Sequence, residues 1–153
     1  MAVTFSGFLS ENRVVFLDAT SKTEALRQMV SCLEDCMPAF DAEDLLSRLL
    51  ERERLMSTGI GLGIGVPHLR YKGVKEPCIV VGIQPKGIGD YESLDGEIVK
   101  ILLLILVDAG QHREYLRILS GLVKTLKKAG VREALLAASN PEEVVSILRR
   151  EDG

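Results

Sequence analysis

Apolar positions along the chain follow two patterns: helical spacings of three and four, and short continuous runs, with polar stretches between them. Residues 13–17, RVVFL, predict a short strand. Asp18 and Thr20 open a helix, and Ser21–Lys22–Thr23–Glu24 has the S/T-x-x-E form of a capping box. Ala25, Met29, Leu33 and Cys36 recur beyond it at helical spacing, and Pro38 ends the element. A second helix starts near Asp41, carries Leu45, Leu46, Leu49 and Leu50 as its apolar stripe and runs to about Arg54. Residues 78–84 (CIVVGIQ) and 99–107 (VKILLLILV) are apolar without alternation, which predicts central strands buried on both faces. The stretch between them, KGIGDYESLDGE, carries turn chemistry, with Asp95 and Gly96 as turn formers. Residues 111–129 predict a helix with Leu116, Leu119, Val123 and Leu126 on one face and Gly130 as its C-cap. A short helix follows over residues 131–138. Ser139 or Asn140 then caps a last one, with Pro141 at its first position and Glu142 and Glu143 in its first turn.

Strands alternating with helices and covered on both faces predict an α/β sandwich. The connection around residues 85–98 contains no helix, so its two strands need not be joined by a right-handed crossover, and the sheet can be mixed. The 153 residues contain no long linker, repeat or low-complexity segment, so one domain over 1–153 is expected. The composition, 46% hydrophobic and 27% charged, is that of an ordinary soluble domain. A net charge of −3 offers no basic excess to neutralise phosphates, which argues against nucleic acid as the main partner. The longest apolar run, Ile101 to Val107, falls far short of the roughly 20 residues a membrane-spanning helix needs. The N-terminal MAVTFSGFLSENR lacks the basic and long apolar parts of a signal peptide, so a cytoplasmic protein is expected. Cys32, Cys36 and Cys78 read as reduced, buried or half-buried thiols and offer no zinc spacing; no metal and no cofactor is predicted.

The chemistry concentrates in residues 57–70, STGIGLGIGVPHLR, where Gly59, Gly61, Gly63 and Gly65 occupy every second position before Pro67 and His68. No register of these glycines supplies G-x-G-x-x-G, and no Gly-Lys-Ser/Thr occurs, so neither nucleotide motif is present. Period two is the strand period, which would put Ile60, Leu62, Ile64 and Val66 on one face and the glycines on the other. The glycines also permit positive φ, so part of the run can be a loop with converging N–H groups, an arrangement that binds anions. Pro67 stiffens the chain before His68, which then sits at a strand end, where α/β folds place binding crevices. A histidine near free N–H groups and without other metal ligands suggests phosphoryl transfer through phosphohistidine. Spacing alone leaves this reading open beside a second one, a Gly-rich strand packed under a helix and ending in a surface histidine.

Residues 52–68, RERLMSTGIGLGIGVPH, resemble the active-site signature of type-2 IIA domains of the bacterial phosphotransferase system, the fructose/mannitol class that includes the nitrogen-regulatory IIA proteins. Arg52–Glu53, Ser57–Thr58–Gly59–Ile60–Gly61, Gly63 and Pro67–His68 match the pattern; Met56 stands for its usual Gly and Gly65 for its usual Ala. The resemblance extends through SLDGEIVKILLLIL, YLRILSGLVKTL and LLAASNPEEVVSIL, nearly the whole chain in order.

The resemblance implies a mixed sheet flanked by helices on both faces. It also implies receipt of a phosphoryl group from the phosphorylated histidine-containing phosphocarrier protein, with onward passage to a IIB domain in sugar-transporting members. His68 corresponds to the phosphorylated histidine and Arg52 to an arginine lining the site, while Ser57, Thr58 and Gly59 would shape the phosphate cradle. The family's second active-site histidine is replaced by Tyr115, which could substitute as a hydrogen-bond donor but not as a cation; the only other histidine, His112, lies three residues earlier on the same helix face and reads as a solvated helix-start residue, with reach into the pocket as the alternative. Arg70 reads as a solvated base, with phosphate contact as its alternative, Lys124, Lys127 and Lys128 as an exposed helix face, and Asp108 as a pocket residue or a cap. Three functions are therefore expected to compete: a phosphocarrier, a IIA-fold regulatory module that binds a transporter or kinase with little or no phosphotransfer, and a small-molecule-binding module at the bare glycine face.

Overall fold

The computed structural model describes residues 5–33 and 40–152; the predicted helix positions Cys36 and Pro38 lie outside them. The strands are β1 (Val14–Phe16), β2 (Gly59–Gly61), β3 (Ile64–Gly65), β4 (His68–Arg70), β5 (Cys78–Ile88) and β6 (Val99–Val107). The helices are α1 (Lys22–Val30), α2 (Ala42–Leu55), α3 (His112–Leu126), α4 (Ala129–Ala137) and α5 (Pro141–Glu151). The strands form one six-stranded sheet in the order β1-β5-β6-β3-β2, with β4 also on β6. β5 and β6 run antiparallel, whereas β1 is parallel to β5, and β3 and β4 are both parallel to β6. The sheet is thus mixed, and its antiparallel centre follows from the helix-free connection between β5 and β6.

Strand β6 shows why its apolar run carries no alternation. Ile101, Leu103, Ile105 and Val107 enter one core with Ile118 and Leu122 of α3, Leu135 of α4 and Leu148 of α5. Leu102, Leu104 and Leu106 enter the other, with Leu26 and Met29 of α1 and Leu45 and Leu49 of α2. Period two still operates, but both faces are dry, so every position is apolar. At roughly 25 cal/mol per Å2 of apolar surface, burial of each such side chain contributes about 1.5–3 kcal/mol.

Several elements differ from the sequence reading. Helix α1 stops at Val30, and Leu33 enters the core from the turn that follows. Strand β5 continues to Ile88, past the predicted end at residue 84. The buried side of α3 is Ile118, Leu122, Thr125 and Leu126; Leu116 is half exposed, and Leu119 is only partly buried. The helix is apolar over a wide arc, and Thr125 in the true stripe disguises it, so the predicted face is rotated by about one residue. Gly130 lies inside α4 rather than capping α3, which ends on Lys127 in right-handed geometry. The final helix is as predicted: the Asn140 side chain accepts from the Glu143 N–H at 2.9 Å, with Pro141 at the first position. Asp108 belongs to a capping box with Gln111, whose side-chain oxygen accepts from the Asp108 N–H at 2.7 Å.

The largest correction concerns the glycine run, which is a hairpin and not one strand. β2 and β3 pair antiparallel with Gly61 opposite Ile64, so Leu62 and Gly63 alone turn the chain. Their φ values of 59° and 77° are the positive pair that a type I′ hairpin turn requires. The reversal puts Ile64 and Val66 in the core and leaves Ile60 and Leu62 partly exposed. The Asp95 carboxylate fastens the tip, accepting from the Leu62 N–H at 2.9 Å and from the Glu97 N–H at 3.0 Å. These backbone donors, Leu62 foremost, hold the Asp95 carboxyl below its ordinary range.

Two outcomes follow for unfolding measurements. Leu62→Asn should raise stability by about 1 kcal/mol, because a left-handed L-residue costs roughly that much and Asn tolerates the region well; urea unfolding reads the change directly. The stability that Asp95 lends is present above the ordinary carboxylate pKa of about 4 and is lost as pH falls through its depressed folded value. The acid-side loss of stability measured by thermal unfolding should therefore be smaller in Asp95→Asn than in the unaltered chain.

Candidate functional site

His68 is the first residue of β4, opposite Ile105 near the C-terminal end of β6. The Pro67 carbonyl accepts from the Ile105 N–H at 3.0 Å and pins the chain just before it. The His68 Nδ1 lies 2.9 Å from the Val66 carbonyl oxygen. A carbonyl only accepts, so Nδ1 carries the proton, and the neutral ring presents the lone pair of Nε2 as its free nucleophile. A second backbone bond steadies that carbonyl: the Val66 N–H donates to the Thr58 carbonyl at 3.0 Å.

His68 lines a cavity of about 420 Å3, whose other walls are Arg52, Leu69, Arg70, Val107, His112 and Tyr115. Arg52 comes from the last turn of α2, where its Nη1 donates to the Met56 carbonyl at 3.1 Å. Tyr115, in the first turn of α3, stacks on His68 with ring centroids 5.1 Å apart and planes at 29°. The His112 ring lies 6.2 Å from Tyr115 and borders the same cavity. Burial pushes the Tyr115 phenol above its ordinary range, against the opposing pull of the Arg52 charge. Tyr115 is therefore a neutral hydroxyl at pH 7 and cannot replace an imidazolium. Among the described residues, two guanidiniums and two imidazoles line the cavity, and no carboxylate does. Such a lining attracts anions, and paired guanidiniums suit a phosphoryl group in particular.

The structure brings together His68, Arg52, His112 and Tyr115 and adds Arg70, which is exposed to solvent at the same cavity. Ser57, Thr58 and Gly59 stand apart from these walls. The Ser57 hydroxyl donates to the Glu92 carbonyl at 2.7 Å. Gly59 lies so close to the β5–β6 connection that a Cβ there would sit 2.1 Å from the Glu92 carbonyl oxygen. Thr58 is buried; its hydroxyl donates to Glu53 Oε2 at 2.5 Å and lies 2.6 Å from the Tyr91 hydroxyl. Glu53 also accepts from the Thr58 N–H at 3.1 Å and from Lys22 Nζ at 3.2 Å. Lys22 in turn sits 4.2 Å from the centre of the Tyr91 ring. Desolvation, reinforced by the Glu53 charge, pushes the Tyr91 phenol far above its ordinary range, so it remains a hydroxyl.

Sequence reasoning missed this network. Its one available signal was the adjacency of Arg52 and Glu53 on a helix, which turns neighbouring side chains in different directions, here one to the cavity and one inward. Nothing in the turn-rich stretch around Tyr91 marks that residue as a core partner.

Among the described residues, no helix is long and apolar enough to cross a membrane. The family described as phosphoenolpyruvate-dependent sugar phosphotransferase system, EIIA 2, matches residues 7–151. The chain is 34% identical over 128 residues to the fructose-specific EIIA component of Haloferax volcanii, covering 84% of this chain and 82% of that protein. It is also 34% identical over 128 residues to a nitrogen regulatory protein of Pseudomonas aeruginosa, with the same coverage of 84% and 82%. Among solved structures it resembles the nitrogen regulatory protein IIA-Ntr of Neisseria meningitidis, with a TM-score of 0.84 at 28% identity over 94% of this chain and 97% of the other. The family match over nearly the full length and the 34% identity to two relatives lead to one conclusion: this chain belongs to the type-2 IIA family of the phosphotransferase system.

Proposed function

We propose that the protein is a cytoplasmic phosphocarrier. His68 receives a phosphoryl group from the histidine-containing phosphocarrier protein and either passes it to a IIB domain or signals by its state to a transporter or kinase. The observation that carries this reading is the orientation of His68: its Nδ1 is tied to the Val66 carbonyl, and its ring borders a cavity lined, among the described residues, by two arginines and no acid. In the transfer, the Nε2 lone pair attacks phosphorus in line as the N–P bond to the donor histidine breaks, and the donor nitrogen keeps that electron pair. The His68 proton stays on Nδ1 throughout. Arg52 and Arg70 neutralise the phosphoryl oxygens, the part that electrostatic preorganisation plays in phosphoryl transfer. His112 is the nearest candidate for the second histidine, and Tyr115 holds the His68 ring by stacking.

A second reading, a regulatory binding module with little phosphotransfer, draws its support from Tyr115, a neutral group where a cation is expected. Incubation with phosphoenolpyruvate and the general phosphotransferase proteins separates the two. A phosphocarrier takes up acid-labile phosphate close to one per chain, and His68→Ala takes up none; labelling that survives His68→Ala, or its absence from the unaltered chain, refutes the proposal. Arg52→Ala should slow labelling by about 100-fold, the usual loss for one preorganised donor. Tyr115→His should speed it by about tenfold, as expected of a cation restored beside the phosphoryl group.

A further inference from the structure

The buried carboxylate of Glu53 has no part in the transfer described above, yet it is joined to His68 by bonds that can be followed atom by atom. Glu53 is only 5% exposed, and both its oxygens are taken: Oε1 by the Thr58 N–H and Lys22 Nζ, Oε2 by the Thr58 hydroxyl. Thr58 is thereby held at both its N–H and its hydroxyl. Its carbonyl accepts from the Val66 N–H, and the Val66 carbonyl faces His68 Nδ1. The same carboxylate anchors the end of α2 from which Arg52 reaches the Met56 carbonyl, three residues before Thr58 in the case of that carbonyl's neighbour Leu55 and two before it in the case of Met56 itself.

From this chain of bonds we infer that Glu53 is a positioning residue for phosphoryl transfer: acting through Thr58 and Val66, it fixes the Nδ1–H tautomer and the orientation of the His68 ring. The inference rests on the phosphocarrier reading for its purpose, although the positioning itself is a property of the chain alone. A buried carboxylate is costly to desolvate, and the cost is met only when its oxygens are saturated by donors. Here the donors are a threonine backbone, a threonine hydroxyl and one lysine, so the segment that leads to Val66 is clamped by a charged group rather than by neutral bonds. Charge-assisted bonds are the shorter and stiffer kind. A free histidine side chain in water favours the proton on Nε2, the form with no lone pair aimed at the cavity. A displaced Val66 carbonyl would release His68 towards that inactive form.

The test reads the tautomer first and needs no phosphate donor. Nitrogen-15 chemical shifts of the His68 ring, recorded above its titration range in the full chain, report the Nδ1–H form in the unaltered protein. In Glu53→Gln and in Thr58→Val the shifts should move towards the Nε2–H form, while Thr58→Ser, which keeps the hydroxyl, should retain the original pattern. Labelling of His68 should slow by about tenfold in Glu53→Gln and Thr58→Val and stay within about twofold in Thr58→Ser. A purely structural role would lower the melting temperature and leave the ring shifts of the folded protein unchanged, and that result overturns the inference. If Glu53→Gln fails to fold, Thr58→Val and Thr58→Ser decide it. If the ring shifts move as expected but the unaltered chain takes no phosphate from the phosphocarrier, the phosphocarrier reading falls and the positioning role stands.

Discussion

Strand β6 carries hydrogen-bond partners along both edges and apolar side chains into both cores, and every other part of the molecule takes its position from it. On one edge lies β5, paired from Cys78 to Ile88. On the other lie β3 and β4, end to end, the first against Ile101 and Leu102 and the second against Ile105 to Val107. Its alternating side chains set the two helical layers at fixed height, so α3 lies over the face to which His68 points and α2 over the other. The cavity opens where β4 and the end of β6 meet the first turn of α3 and the last turn of α2. The five polar side chains that line it, Arg52, His68, Arg70, His112 and Tyr115, all stand on these helices and strands.

The distribution of charge divides the molecule in a similar way. The two guanidiniums at the cavity are cationic and open, whereas the Glu53 carboxylate is buried. Arg52 and Glu53 are consecutive, so one peptide bond separates the open positive group from the closed negative one. The oxygens of that carboxylate are occupied by Lys22 and Thr58, which leaves the Arg52 guanidinium facing the cavity. Burying an acid next in sequence to a cavity-facing base is thus a way to keep the base available.

The fold was legible wherever a single element sufficed to explain a residue. The two central strands, the Asn140 cap and the stripe of α2 are local patterns with one solution each, and the absence of a helix between β5 and β6 correctly allowed a mixed sheet. Of the candidate site, the signature marks Arg52 and His68, and the fold brings these two to one cavity. What failed needed tertiary information. Alternating glycines look like a strand until the turn at Leu62 reverses them, and an exposed leucine at positive φ is not a signal any local rule would choose. The α3 face was misjudged because a threonine takes a core position beside three aliphatic ones. Thr58 looked like a phosphate ligand because of its neighbours in sequence, while its partners in space, Glu53 and Tyr91, lie 5 and 33 residues away.

The end-to-end arrangement of β3 and β4 has a bearing on how this chain can vary. Only Val66 and Pro67 separate the two strands on the shared edge of β6, and Val66 is already buried. A strand turns its side chains over with every residue, so lengthening or shortening this joint by one would carry His68 to the opposite side of the sheet, into the apolar layer beneath α1 and α2. The joint can accept exchanges of side chain but not a change in residue count. For this segment the unit of inheritance is the spacing itself.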